Sequence, residues 1–308
     1  MRYFAFIFCY MLSNNLLALE NQKILASIRP LQSIVANLTK GVDEIGLIVD
    51  QNESLHNYHL APKKTSSIHN SKMIILIDRK FETFLKNTLT NIDQKKTKVI
   101  EVAKLPHVKL LVDEEGHDHG HGHSHGHGHD EEHEHSHYYD YHIWLDPELV
   151  KNISKGLVDI FIKENPASAL QYKNNLNEFI IKLDNLDKNI LAKMEQVENN
   201  NFVVMHNAYQ YFINRYNLEE PSAISIDHDY NIGAREFLKI QKSIKENKVK
   251  CIFEEPQFDS KIVKKIKGNS NVKVSKLDAE WGPENVSVEE QYITMMNELT
   301  TSFYNCLK

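Results

Sequence analysis

Residues 166–199 read PASALQYKNNLNEFIIKLDNLDKNILAKMEQVEN. After Pro166 the span contains no glycine or proline. Apolar residues fall at Leu176, Phe179, Ile180, Leu183, Leu186, Ile190, Leu191, Met194 and Val197. Steps of three and four place them on one face of a single long helix. Some 30 residues at 1.5 Å each give roughly 45–50 Å. A helix of that length is longer than one small lobe needs and spans two. A coiled-coil dimer is the rival reading, but it wants cleaner heptads.

On either side of this helix, strands and helices alternate. Before it, apolar runs at 24–28, 45–49, 73–77 and 98–102 read as strands, with helical spacing at 31–40 and 81–89. Residues 50–62 read as a polar loop. Asp146-Pro147-Glu148 is a helix start, with aspartate as cap and proline in the first turn. After the long helix come strands at 202–205, 223–226, 250–254 and 272–277, with helices at 208–216, 233–246, 260–267 and 288–307. The fold class is therefore α/β, as two lobes joined by a helix. The expected division is 20–165, 166–199 and 200–308, with 1–19 as a signal peptide.

That first segment has a positive start at Arg2, an apolar run from Tyr3 to Leu12 and a polar break at Ser13-Asn14-Asn15. It is too short to span a bilayer and reads as an export signal. Cys9 lacks the small residue before it that a lipid-attachment site needs. Removing the signal leaves Cys251 and Cys306, an even number that suits a disulfide in an exported protein, with two separate buried thiols as the alternative. The net charge of −6 over 308 residues argues against nucleic acid as a partner.

The insert at 113–140 is of another kind. It carries His117, His119, His121, His123, His125, His127, His129, His133, His135 and His137, spaced by glycine, serine and acids, with no lysine or arginine. Such a stretch builds no core, and its imidazoles suit zinc, copper or nickel. We read it as an auxiliary set of weak metal sites.

In open parallel sheets, ligands bind beyond the C-terminal ends of strands. Four candidates sit there. His56 follows the second strand, and His142 lies in the apolar His142-Ile143-Trp144-Leu145-Asp146-Pro147. His206 closes the strand at 202–205, and Asp278 closes that at 272–277. Three imidazoles and one carboxylate fit a borderline metal such as Zn2+. His59 competes with His56. His69, His107 and His228 read as surface residues, His228 least securely.

These residues resemble the zinc-specific solute-binding proteins of ABC importers, the ZnuA type. The resemblance rests on Ser27-Ile28-Arg29-Pro30, His56-Asn57-Tyr58 with Leu60-Ala61-Pro62, the acidic histidine run, and His142-Ile143-Trp144-Leu145-Asp146-Pro147-Glu148. It continues through Met205-His206-Asn207-Ala208-Tyr209, Glu255-Pro256-Gln257-Phe258 and Leu277-Asp278 to Cys306. It implies two Rossmann-like lobes with mostly parallel sheets and one rigid connecting helix. It also implies zinc on His56, His142 and His206, completed or approached by Asp278, and a disulfide between Cys251 and Cys306. Many relatives carry glutamate just before the first ligand histidine. This chain has Leu55, which leaves the fourth position to Asp278 or water.

The function this implies is capture of zinc in the periplasm and delivery to the membrane permease of an ABC importer, whose ATPase lies on the cytoplasmic side. The expected protein is a monomer and not an enzyme. A periplasmic zinc buffer or chaperone would share the same features. A manganese importer protein would usually replace the third histidine by a carboxylate and lack the histidine run. A zinc hydrolase would need a general base, for which Glu254 and Glu255 are the only strand-end candidates, and no His-Glu-x-x-His motif is present.

Overall fold

Short apolar runs become parallel strands because both faces of each sheet are covered by helices. The computed structural model describes residues 23–49, 53, 55, 58–112, 139–197, 201–225, 233–246, 248–283 and 285–308. The segment 1–19, the histidines from His117 to His137, His56 and His228 lie outside the described residues.

The first lobe runs β1 (Ile24–Ala26), α1 (Arg29–Thr39), β2 (Ile45–Leu47), α2 (Pro62–His69), β3 (Met73–Leu76), α3 (Lys86–Thr90) and β4 (Lys98–Glu101). A two-residue hairpin stem follows, β5 (Leu111–Val112) against β6 (Tyr139–Asp140), and then α4 (Pro147–Glu164). Next comes α5 (Ala169–Met194). The second lobe runs β7 (Asn201–His206), α6 (Gln210–Tyr216), β8 (Ser222–Ser225), α7 (Ala234–Lys245), β9 (Val249–Glu254), α8 (Ser260–Lys267), β10 (Lys273–Lys276) and α9 (Val288–Leu307).

The two large sheets have equivalent topology. The first is ordered β2-β1-β3-β4 and the second β10-β9-β7-β8, all parallel. In each, the chain steps from an inner strand to the edge beside it, then crosses to the other side. The switch points therefore lie between β1 and β3, and between β7 and β9, where such folds collect ligands. At the first, buried Glu82 accepts from Ser27 Oγ at 2.5 Å and from the Ile77 and Asp78 amides at 2.9 Å. Burial pushes its carboxyl up to about 7.

Helix α5 buries Tyr172, Asn175, Phe179, Leu183, Leu186, Ile190 and Met194, one stripe along about 39 Å. Its first turns serve the first lobe. Asn175 Nδ2 donates to the carbonyls of Leu38 and Lys40, and Tyr172 Oη to Asp43. Its last turns serve the second. Asp187 holds Arg215 in a two-pronged pair and accepts from Tyr216 Oη. Pro166–Ser168 forms a separate 3-10 turn ahead of it.

Two expectations need correction. The helix expected at 81–89 is a 3-10 turn at Thr83–Leu85 followed by the single α-helical turn and a half of α3. Helix α2 was not expected, because Ile68 is its only buried residue and no apolar period marks it. Asp146 does cap α4, accepting from the Glu148 amide at 2.8 Å.

Cys251 on β9 and Cys306 on α9 are joined by a disulfide, 55 residues apart in sequence. A loop of that length constrains the unfolded chain by about 4 kcal/mol. The paired change Cys251→Ser with Cys306→Ser is expected to lower the urea unfolding free energy by roughly that amount, read from equilibrium denaturation.

Candidate metal centre

The last residue of β7 is His206, and the residue after β9 is Glu255. Parallel pairing of β7 and β9 sets them side by side. His206 Nδ1 lies 2.8 Å from Glu255 Oε2. From the first lobe, β6 ends at Asp140, and the chain turns so that His142 opens the 3-10 turn Ile143–Leu145. Asp140 Oδ1 accepts from the His142 amide at 2.8 Å and lies 2.7 Å from His142 Nδ1. Both imidazoles are buried, and their centroids are 5.4 Å apart.

This pairing decides which nitrogen can bind a metal. A neutral imidazole that gives its Nδ1 hydrogen to a carboxylate carries its lone pair on Nε2. Each histidine, one from each lobe, has a carboxylate beside its Nδ1, an arrangement that suits ligation through Nε2. Aromatic side chains wall the pair. Phe81 meets His142 edge-on at 5.3 Å, Trp144 lies 5.2 Å from it, and Phe258 lies over His206 at 5.4 Å.

Asp278 follows β10, but its oxygens are taken up locally. Oδ1 accepts from the Glu280 and Trp281 amides at 3.0 and 2.8 Å and from Gln257 Nε2 at 3.4 Å, and Oδ2 accepts from the Gly282 amide at 3.1 Å. The tight turn this makes requires Gly282 at φ +63°, where a Cβ would also meet Met295 at 2.8 Å. The turn carries Glu280, buried at 4% exposure, within electrostatic reach of His206. Glu280 also accepts from the backbone amide of Leu55, the residue before His56.

The electrostatics are those of a site short of positive charge. Burial raises the Glu280 carboxyl to about 8, and neighbouring Glu255 and Asp278 push the same way against His206. Burial would depress His206, yet Glu255, Glu280 and Asp140 together raise it. Among the described residues, no group of three histidine, cysteine or acidic side chains is assembled that could hold a metal ion. His142 and His206 are brought together. His59, His69 and His107 are exposed.

The comparisons with known proteins agree with this architecture. The family described as zinc-uptake complex component A, periplasmic, ZnuA, matches residues 24–306. The chain belongs to this family. The high-affinity zinc uptake system protein ZnuA of Brucella abortus strain 2308 is 34% identical over 313 residues, covering 94% of this chain and 93% of its own. That of Haemophilus influenzae is 30% identical over 319 residues, covering 94% of each. A crystal structure of ZnuA superposes with a TM-score of 0.76 at 21% identity, covering 93% of this chain and 99% of its own. The periplasmic zinc-binding protein TroA from Treponema pallidum reaches 0.79 at 17%, again with 93% and 99% covered. The ZnuA fold thus accounts for both sheets and the long helix.

Sequence reading passed over Asp140 and Glu280 and weighed Glu255 only as a hydrolytic base. The available signals were short ones: an acid two residues before His142, and another two residues after Asp278. Removing a carboxylate behind a ligand histidine typically weakens metal binding about 10–100-fold. Asp140→Asn and Glu255→Gln are each expected to weaken zinc binding by about that factor without lowering the thermal midpoint of the metal-free protein, as read by competition titration and calorimetric melting.

Proposed function

We propose that this protein captures zinc in the cleft between its lobes and hands it to the permease of an ABC importer, driven by an ATPase on the cytoplasmic side. His142 and His206 supply Nε2 atoms, His56 supplies the third nitrogen, and Glu280 supplies the oxygen. Asp278 builds the turn that aims Glu280. The observation that carries the reading is the pair of buried imidazoles, one from each lobe, each backed by a buried carboxylate. Membership of the zinc-uptake family supports the choice of metal, and so does the chemistry. Imidazole donors favour zinc over harder manganese. The position of Leu55 against Glu280 supports His56, because it brings the start of that loop to the site.

The chain's own residues do three things in capture. Asp140 and Glu255 fix the tautomers. Phe81, Trp144 and Phe258 keep water from the histidines, which strengthens every charge interaction inside. Glu280 neutralises the incoming dication after giving up its proton. The lobes are already joined across the cleft floor. Trp144 Nε1 donates to the Ala279 carbonyl at 2.7 Å, and Tyr292 Oη to the Trp144 carbonyl at 2.8 Å. Loading and release therefore proceed by small movements of loops rather than wide hinge opening. The histidine run at 117–137 supplies weak sites that raise the local zinc concentration.

A zinc titration of the mature protein followed by calorimetry and metal analysis tests the reading. His206→Ala is expected to abolish the one tight site and leave the weak ones. Glu280→Gln is expected to weaken tight binding more than Asp278→Asn does. Persistence of tight binding in His206→Ala would make the histidine run the main site and the protein a metal buffer. The pH dependence has a definite sign. Zinc binds neutral imidazole, and the His206 pKa is raised. Affinity is therefore full above that raised value and falls as pH drops through it, starting above the ordinary histidine range. Because Glu280 is held at about 8 in the metal-free protein, zinc binding at pH 7 is expected to release a proton, measured by calorimetry in buffers of different ionisation enthalpy.

A further inference from the structure

The outer face of the second lobe is charged oppositely to the chain as a whole. Residues 233–276 contain twelve lysines and arginines against five acids, in a protein of net charge −6. Helices α7 and α8 cover the outer side of the second sheet, burying Ile240, Ile244, Val263 and Ile266. They touch each other, with Gln241 Nε2 donating to the Lys265 carbonyl at 3.0 Å. In a parallel α/β lobe the helices run against the strands, so their last turns lie at the end remote from His206 and Glu255. Those last turns hold Lys242 and Lys245 on α7, and Lys264, Lys265 and Lys267 on α8. Lys248, just before β9, and Lys273, which opens β10, belong to the same end. All but the half-buried Lys267 are exposed. One turn from Lys242 on the same stripe of α7, Leu238 is 62% exposed.

Helix-end electrostatics explain only part of this. A cation near a helix C-terminus is stabilised modestly and only within the last turn. That accounts for one or two lysines per helix and, through Nζ bonds to the Cys306 and Lys308 carbonyls at the end of α9, for Lys273, but not for the five on the last turns of α7 and α8 together. Among the described residues, Glu246 pairs with Lys242 and Lys248, and Asp259 with Lys261. Glu219 and Glu220, exposed ahead of β8, lie at the same end, and the lysines of α7 and α8 still outnumber these acids.

Its chemistry selects the partner. Eleven of the twelve cations are lysines, and only Arg235 is an arginine. Protein interfaces favour arginine, tyrosine and tryptophan anchors and are poor in lysine. Base reading in duplex DNA uses forked donors such as arginine. Hydrated point charges on long flexible stems instead suit a diffuse sheet of negative charge. An anionic bilayer surface attracts such residues, each adding about fivefold to the affinity. We propose that the base of the second lobe docks on an anionic phospholipid surface, with the metal cleft turned away from the bilayer. The protein would then be parked at the membrane with its site facing the aqueous side, in an orientation distinct from the one in which the cleft meets a permease.

The test uses the full mature chain and two vesicle types, one of phosphatidylcholine alone and one with phosphatidylglycerol in equal part. Cosedimentation at low ionic strength is expected to be greater on the anionic vesicles by about tenfold or more, and to fall as salt approaches physiological strength. The variant Lys242→Glu, Lys245→Glu, Lys264→Glu, Lys265→Glu is expected to drop to the neutral-vesicle level, with zinc affinity and melting unchanged. Should that variant melt early, acetylation of the wild type read by mass spectrometry replaces it. Anionic vesicles are then expected to protect Lys264 and Lys265 selectively over lysines of the first lobe. Equal binding to both vesicle types, undiminished binding by an intact variant, or absence of selective protection would overturn the proposal. So would retention of the wild type by polyglutamate but not by vesicles, which would assign the face to an acidic protein.

Discussion

One helical stripe has to be buried by the helices of two lobes at once. From Tyr172 to Met194, α5 presents a single apolar face, and neither lobe alone is long enough to cover it. Its early part therefore packs on the end of α1, and its late part on α6 and α9. Everything about the cleft follows from this. The C-terminal ends of two parallel sheets are brought face to face, and the space between them is where loops with polar side chains can converge. Further bonds cross the same boundary. Asn37 Nδ2 donates to the Glu289 carbonyl, the Tyr292 amide to Ser33 Oγ, and Tyr211 Oη to the Asp140 carbonyl. A protein joined in this way recognises its ligand with a preformed site, which limits the ordering cost of binding.

The cleft concentrates negative charge where water is scarce. Asp140, Glu255 and Glu280 are each buried to 5% exposure or less around two histidines. Without a cation, such a cluster relieves itself by keeping protons, as the raised Glu280 and His206 values express. On the proposed function, a dication bound there would remove the need for those protons and satisfy the carboxylates together. The aromatic walls supply the low local dielectric that would make this attraction strong.

Much of the fold was readable because it is written in period and punctuation. The strand runs at 73–77 and 202–205 are continuously apolar, the stripe at 176–194 steps by three and four, and Asp146-Pro147 is a local cap. Each of these depends on near neighbours in the chain. Helix α2 escaped because one buried residue makes no period, and the helix at 81–89 broke up because Glu82 is drawn inward to Ser27. His142 and His206 were visible as histidines at strand or segment ends.

Their partners were not. Asp140 stands two residues before His142 but is one acid among several near the insert, and nothing local distinguishes Glu255 from Glu254. The direction a side chain takes at a strand end depends on which strand lies beside it. Asp278 and Glu280 make the point most clearly. By sequence alone, the aspartate that closes a strand is the better ligand. In the folded chain its oxygens accept from three backbone amides of the turn, and buried Glu280, two residues on, lies within electrostatic reach of His206. The sequence by itself determined most of the elements and the α/β plan, and it offered the residue types of a candidate metal site, because these rest on periodicity and intrinsic chemistry. Only the tertiary structure decided which carboxylates stand behind which histidines, because a partner on another strand, as Glu255 is for His206, is chosen by strand order and lobe contact.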